Sequence, residues 1–137
     1  MQPYLHRVQY YETDKMGITH HSNYIRWMEE ARVDFLDQIG WSFAKLESLG
    51  VASPVLAVRC SYQHPTRFSD WVKIAVTLKS YHGVRMTIGY RMEGPDGALF
   101  CEGETDHCFV NAAGQPLRLR RELPAFDAAL TALLGAN

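Results

Sequence analysis

The chain has 137 residues, 47% of them hydrophobic, which is enough to fill one core, and a single domain over 1–137 is expected. With 14 basic against 15 acidic side chains the net charge is −1 and dispersed, which argues against a nucleic-acid partner and against attraction to an anionic membrane. No stretch nears the roughly 18 apolar residues that cross a bilayer, and the start, MQPYLHRVQYYETD, lacks a charged segment followed by an apolar one, so a cytoplasmic location is expected.

In chain order, Val8 to Tyr11 reads as a strand, and Asp14 heads the turn Asp14-Lys15-Met16-Gly17, whose glycine supplies backbone freedom. His20 and His21 follow, and Ser22 is placed to cap a helix with its hydroxyl; Ile25, three residues on, rules out a reciprocal capping box. Tyr24, Ile25, Met28, Ala31, Phe35, Leu36 and Ile39 fall at three-and-four spacing, one stripe of an amphipathic helix that Gly40 should stop. Glu29 and Arg32, three apart on that helix, read as a structural bridge.

Trp41 to Gly50 suits a short second helix, and Val51 opens a series of strands. Val72, Ile74, Val76 and Leu78 alternate with Lys73, Ala75, Thr77 and Lys79, and Met86, Ile88, Tyr90 and Met92 repeat the period of two, which marks a sheet with one buried face. Tyr81-His82-Gly83 and Gly94-Pro95-Asp96-Gly97 read as hairpin turns. Leu99 to Val110 gives another strand with Glu102, Glu104 and Asp106 on its outer face, and Pro124 opens a C-terminal helix. A strand, a long helix and several antiparallel strands give an α+β fold, a sheet wrapped around a helix.

Chemistry concentrates in Val8 to Arg32. A carboxylate near a helix N-terminus matters because free N–H groups and the helix dipole stabilise an oxyanion developing on a bound carbonyl, on which Asp14 could act. Taken alone, an Asp at the head of a D-K-M-G turn simply bonds its own backbone. The three cysteines, Cys60, Cys101 and Cys108, form neither an even set nor a CxxC pair, so reduced thiols are expected. His64, His82 and His107 are scattered, and no metal site is expected.

This run resembles the signature of hot-dog-fold acyl-CoA thioesterases of the 4-hydroxybenzoyl-CoA thioesterase type. Asp14, Gly17 three residues on, the helix-opening Tyr24 and Met28-Glu29-Glu30-Ala31-Arg32 carry the resemblance, and His21 matches one branch. It extends more weakly through HPTRFSDWVKI and GETDHCFVNAAGQP, while Lys15 and Met16 stand where many members have small or proline residues. The resemblance implies a hot-dog fold, hydrolysis of an acyl-CoA thioester to free acid and coenzyme A without a cofactor, and a homodimer or homotetramer whose sheets join edge to edge with the site at the interface.

It also implies Asp14 as general base or nucleophile, and the backbone N–H of His21 as oxyanion donor, with the His21 side chain orienting substrate or water. Gly17 and Tyr24 then lie beside the substrate, although Tyr24 also reads as the first packed residue of the helix stripe. Aspartate, with an ordinary pKa of about 3.9, is a weak base at neutral pH and suits an electrophile as activated as a thioester. The phosphates of coenzyme A call for surface cations, either Lys79, His82 and Arg85 around one hairpin or Arg118, Arg120 and Arg121. Tyr10, Tyr11, Trp27 and Trp41 are candidates for an acyl pocket. The acidic run Glu102, Glu104, Asp106 would repel an acidic carrier protein, which favours coenzyme A as the carrier. The alternative in a different class is a non-catalytic hot-dog domain that binds acyl-CoA or another apolar ligand, with Asp14 only making its turn; a dehydratase or hydratase ranks last, for want of a suitably placed His and acid pair.

Overall fold

The computed structural model of the chain describes residues 1–136. Five strands, β1 (Tyr4–Arg7), β2 (Val55–Tyr62), β3 (Trp71–Tyr81), β4 (Arg85–Glu93) and β5 (Leu99–Cys108), form one antiparallel sheet in the order β1-β3-β4-β5-β2. The sheet curls about α1 (Ser22–Gln38), which is followed by the short α2 (Phe43–Ser48), while α3 (Leu119–Glu122) and α4 (Pro124–Ala136) close the chain.

The period-two pattern is what buries the inner face: Val72, Ile74 and Leu78 of β3 and Met86, Ile88 and Met92 of β4 are buried, and they meet Trp27, Met28, Ala31 and Phe35 of α1. β5 leaves room at Gly103, where a Cβ would lie 2.2 Å from Met28 Cε and 2.7 Å from the Arg59 carbonyl oxygen. α1 ends as expected, with Gly40 left-handed at φ 81° and its N–H on the Asp37 carbonyl.

Two local expectations fail for physical reasons. The first strand is Tyr4–Arg7, not Val8 to Tyr11, because the Glu12 carboxylate accepts the Gln9 N–H at 2.8 Å and curls Tyr10–Glu12 into one 3-10 turn. Ser22 is not the cap: it is the first helical residue, its hydroxyl lies 2.8 Å from His20 Nδ1, and His21 takes the cap position without a side-chain bond.

On the outer face, charges cross between strands. Arg59 pairs with Glu104 and Asp106, Lys79 with Glu104, and Arg91 with Glu93 and Glu102. The acidic run therefore sits in a neutralised ladder, and it no longer argues for coenzyme A over an acidic carrier protein.

Candidate active site

The Asp14 turn is built by backbone closure. Asp14 N–H bonds the Ile18 carbonyl at 2.8 Å, and Gly17 N–H bonds the Asp14 carbonyl at 3.0 Å with Gly17 at φ 79°. Nothing lies within 4 Å of a Cβ placed there, so the glycine answers a backbone requirement and not a lack of space. Asp14 Oδ1 accepts the Met16 N–H at 2.8 Å, the self-bonded turn read from the sequence, while Oδ2 takes no partner among the described residues.

Glu12 fastens this segment to the core. Its buried carboxylate accepts from His6 Nε2 at 2.8 Å and Trp27 Nε1 at 2.7 Å as well as from Gln9, and its carbonyl holds the His20 N–H at 2.8 Å. Burial pushes the Glu12 carboxyl up, but the bonds from the Gln9 N–H, Trp27 and His6 outweigh it and hold the group below its ordinary range.

Tyr24 and Thr66 lock the helix start to the turn after β2. The Tyr24 hydroxyl lies 3.1 Å from Thr66 Oγ1 and accepts the Thr66 N–H at 3.3 Å, and Thr19 bonds the same threonine through its N–H and its hydroxyl. Burial raises the Tyr24 hydroxyl above its ordinary range and keeps it a neutral phenol. The ring also packs on Tyr62, with centroids 5.2 Å apart.

Asp14 and His21 meet, with Tyr24, Tyr62 and His64, in the walls of one cavity of about 340 Å³. The His21 ring is exposed, stacks on His20 with centroids 4.4 Å apart and turns an edge to Tyr62. Its backbone N–H makes no hydrogen bond to another described residue, whereas those of Ser22, Asn23 and Tyr24 are taken by His20 Nδ1 and the His20 and His21 carbonyls. An aspartate with one unpartnered carboxylate oxygen and a helix-start residue with an unbonded N–H thus line the same cavity.

The remaining expected residues lie elsewhere. The cavity sits at the Tyr62 end of β2, which register aligns with Cys101 of β5, Met92 of β4 and Ile74 of β3. Lys79, His82 and Arg85 cluster at the opposite end, where Tyr81, Met86, His107 and Val55 align. Eight residues of β2 separate the two ends by roughly 25 Å. There His82 joins Arg118, Arg120 and Arg121 around a second cavity of about 490 Å³, so parts of both cation sets converge, while Lys79 is held by Glu104 on the outer face. Trp27 is fully buried core, Tyr10 and Tyr11 are exposed, and Trp41 packs on Phe126. Glu29 and Arg32 form no ion pair: Arg32 is buried and donates to the Tyr90 hydroxyl at 3.1 Å. No group of three or more His, Cys, Asp or Glu among the described residues could hold a metal ion, and the three cysteines are unpaired thiols.

Glu12, Thr66 and Tyr62 are the site residues that sequence reasoning passed over. The HPT segment at His64 to Thr66 was readable only as a turn, and nothing in YYETD distinguishes a buried glutamate from a solvated one.

Comparison with known proteins decides the family. Residues 8–134 match the thioesterase-like superfamily. The chain belongs to that superfamily. YneP of Bacillus subtilis, provisionally named an acyl-CoA thioesterase, is 31% identical over 123 residues, 89% of each chain. YbgC of Escherichia coli, named an acyl-CoA thioester hydrolase, is 29% identical over 119 residues, 86% of each chain. Among solved structures, a DHNA-CoA thioesterase from Staphylococcus aureus superposes with TM-score 0.95 at 29% identity, over 99% of this chain and 92% of the other. The sheet curled around α1 is the hot-dog thioesterase fold. No described helix of this superfamily member is long and apolar enough to cross a membrane.

Proposed function

We propose that the chain hydrolyses acyl-CoA thioesters to free acid and coenzyme A, and that Asp14 does the chemistry. What supports this reading is that Asp14, whose Oδ2 has no partner, and His21, whose N–H is unbonded, line one cavity. Family membership and the named relatives support the reaction class.

The thioester carbonyl sits with its oxygen toward the His21 N–H at the positive end of α1, and charge that develops on that oxygen in the transition state is stabilised there. Asp14 either removes a proton from the attacking water or attacks the carbonyl carbon itself; both routes leave the same oxyanion. In the water route the tetrahedral intermediate collapses by breaking the C–S bond, and the thiolate recovers the proton from the Asp14 carboxyl; in the nucleophilic route the C–S bond breaks to leave an Asp14–acyl anhydride and the thiolate, and water then cleaves the anhydride to the free acid and the Asp14 carboxylate, its released proton balancing the thiolate. Gly17 sets the turn that aims the carboxylate, Tyr24 holds the helix start against Thr66, and the His21 ring orients substrate at the rim.

A 4-hydroxybenzoyl-CoA type of substrate fits the aromatic wall of Tyr24 and Tyr62. The site is completed by a second copy. β2 is an edge strand with Val55, Leu56, Val58 and Tyr62 all exposed, an apolar template for pairing with another β2. Antiparallel pairing of two such edges brings the Val55 end of one protomer beside the Tyr62 end of its partner, so the basic cavity at His82 and Arg118 of one copy lies on the same side as the Asp14 of the other. Those cations then hold the phosphates of coenzyme A.

The second reading, a binding domain that retains its ligand, is favoured by the Asp14–Met16 bond, which a purely structural aspartate would also make. Release of free thiol from a panel of short, long and aromatic acyl-CoA esters separates the two. Turnover supports hydrolysis, and retained ligand without turnover overturns it.

A further inference from the structure

Asp14 and His21 share their cavity with a further titratable side chain, His64, carried by the turn that follows β2. All three belong to one copy of the chain, so no partner is needed to bring them together.

The backbone pins His64 on both sides. Its own N–H and that of Gln63 bond the Phe100 carbonyl at 3.3 and 2.9 Å, and Thr66, two residues on, is held by Tyr24 and Thr19. The ring is tied as well, with Nδ1 3.0 Å from the Leu99 carbonyl oxygen at the start of β5. A carbonyl only accepts, so Nδ1 carries the proton, and in the neutral ring Nε2 is left as a bare lone pair. Nε2 makes no hydrogen bond to a described residue, and His64 joins no ion pair among them.

The other histidines do not meet these conditions. His6 is held between Glu12 and Glu30, His107 spends its nitrogens on the Ser53 carbonyl and Thr105, and His82 lies at the far end of the sheet. His20 Nδ1 accepts the Ser22 N–H, which leaves a proton on its other nitrogen in the neutral ring. His21 shares the cavity, but no hydrogen bond from a described residue fixes its ring. Activation of water requires a base whose free nitrogen is unprotonated and whose ring is oriented by a third group, and His64 supplies both.

We propose that His64 is the general base of the reaction and Asp14 its nucleophile. This rests on the thioesterase reading above, and it divides two roles that one carboxylate would otherwise have to choose between. Imidazole is as a class the stronger base at neutral pH, and Asp14, tied to the Met16 N–H through one oxygen, keeps the other for attack. The Asp14 oxygen bonds to the acyl carbon and the C–S bond breaks, leaving the Asp14–acyl anhydride and the thiolate. His64 Nε2 then takes one proton from a water whose oxygen adds to the acyl carbon. The anhydride breaks to the free acid and the Asp14 carboxylate, and His64 passes its proton to the thiolate.

The test follows thiol release through the first turnover, on the best ester of the acyl-CoA panel, in wild type, Asp14→Asn, His64→Asn and His64→Ala. The asparagine amide keeps a donor for the Leu99 carbonyl but offers no base. Both His64 variants should release a burst of one equivalent of thiol per chain and then turn over at least about a hundredfold more slowly than the parent. Added imidazole should speed His64→Ala in proportion to its concentration and leave Asp14→Asn unchanged. A His64→Asn variant as fast as its parent, or a slow one without a burst, overturns the proposal even if His64→Ala fails to fold; so does a folded His64→Ala that imidazole does not rescue. A wild type that releases no thiol overturns the thioesterase reading and this assignment with it. A wild type that does, with Asp14→Asn inactive and His64→Asn at the parent's rate, overturns this assignment alone.

Discussion

At the scale of single residues, the site depends on a carboxylate that does no chemistry. Glu12 accepts three hydrogen bonds in the core, from His6, Gln9 and Trp27. Glu12→Ala should cost about 2–4 kcal/mol in a denaturant titration, because it strands the Trp27 and Gln9 N–H groups. Its pKa is lowered in the fold, so its contribution is complete above the ordinary value of 4.5 and is lost as pH falls through the folded value. The stability gap between wild type and Glu12→Gln should therefore shrink between about pH 6 and 3. His107 acts in the same direction at higher pH: burial, aided by the nearby Arg32 charge and opposed by the Ser53 bond, lowers its pKa from the ordinary 6.5. The unfolded chain takes up a proton there that the folded one refuses, so thermal stability should begin to fall just below pH 6.5, and His107→Gln should flatten that step. A fall that starts only below pH 4 in the wild type would contradict the neutral buried His107.

At the scale of elements, α1 and the sheet make contact through a gap left for a methionine. Gly103→Ala places a methyl group 2.2 Å from Met28 Cε and 2.7 Å from the rigid Arg59 carbonyl. Calorimetric melting should show a loss of about 1–3 kcal/mol or more, and Met28→Ala should recover only part of it because the backbone clash remains. The elements most legible in the sequence are β3 and β4, since each has one face on α1 and one in water, and that asymmetry is what a period of two records. The first strand was misplaced because Glu12 takes the Gln9 N–H, a side-chain event that the aromatic run Tyr10-Tyr11 hides. Arg32 was misread for a similar reason. The spacing of Glu29 and Arg32 shows that they could pair, but not that the inward side of α1 has turned the arginine to Tyr90.

At the scale of the whole molecule, Asp14, Gly17, His21 and Tyr24 were legible as one run because a single turn and a helix start bring them together. Tyr62, His64 and Thr66 join them from the end of β2 and the turn after it, about 40 residues later in the chain, and no local pattern announces that. β2 shows no alternation, as expected of a strand whose two faces and free edge are all exposed in one copy. Sedimentation should give a dimer or tetramer for the wild type and a monomer for the pair Leu56→Lys and Val58→Lys, with thiol release lost although Asp14 is intact. A fully active monomer would contradict the shared site. The most direct measurement is the rate of thiol release by wild type and Asp14→Asn on the best ester of the acyl-CoA panel, with folding checked by circular dichroism. The account predicts a folded variant slower by at least about two orders of magnitude; a folded variant as fast as its parent would contradict it.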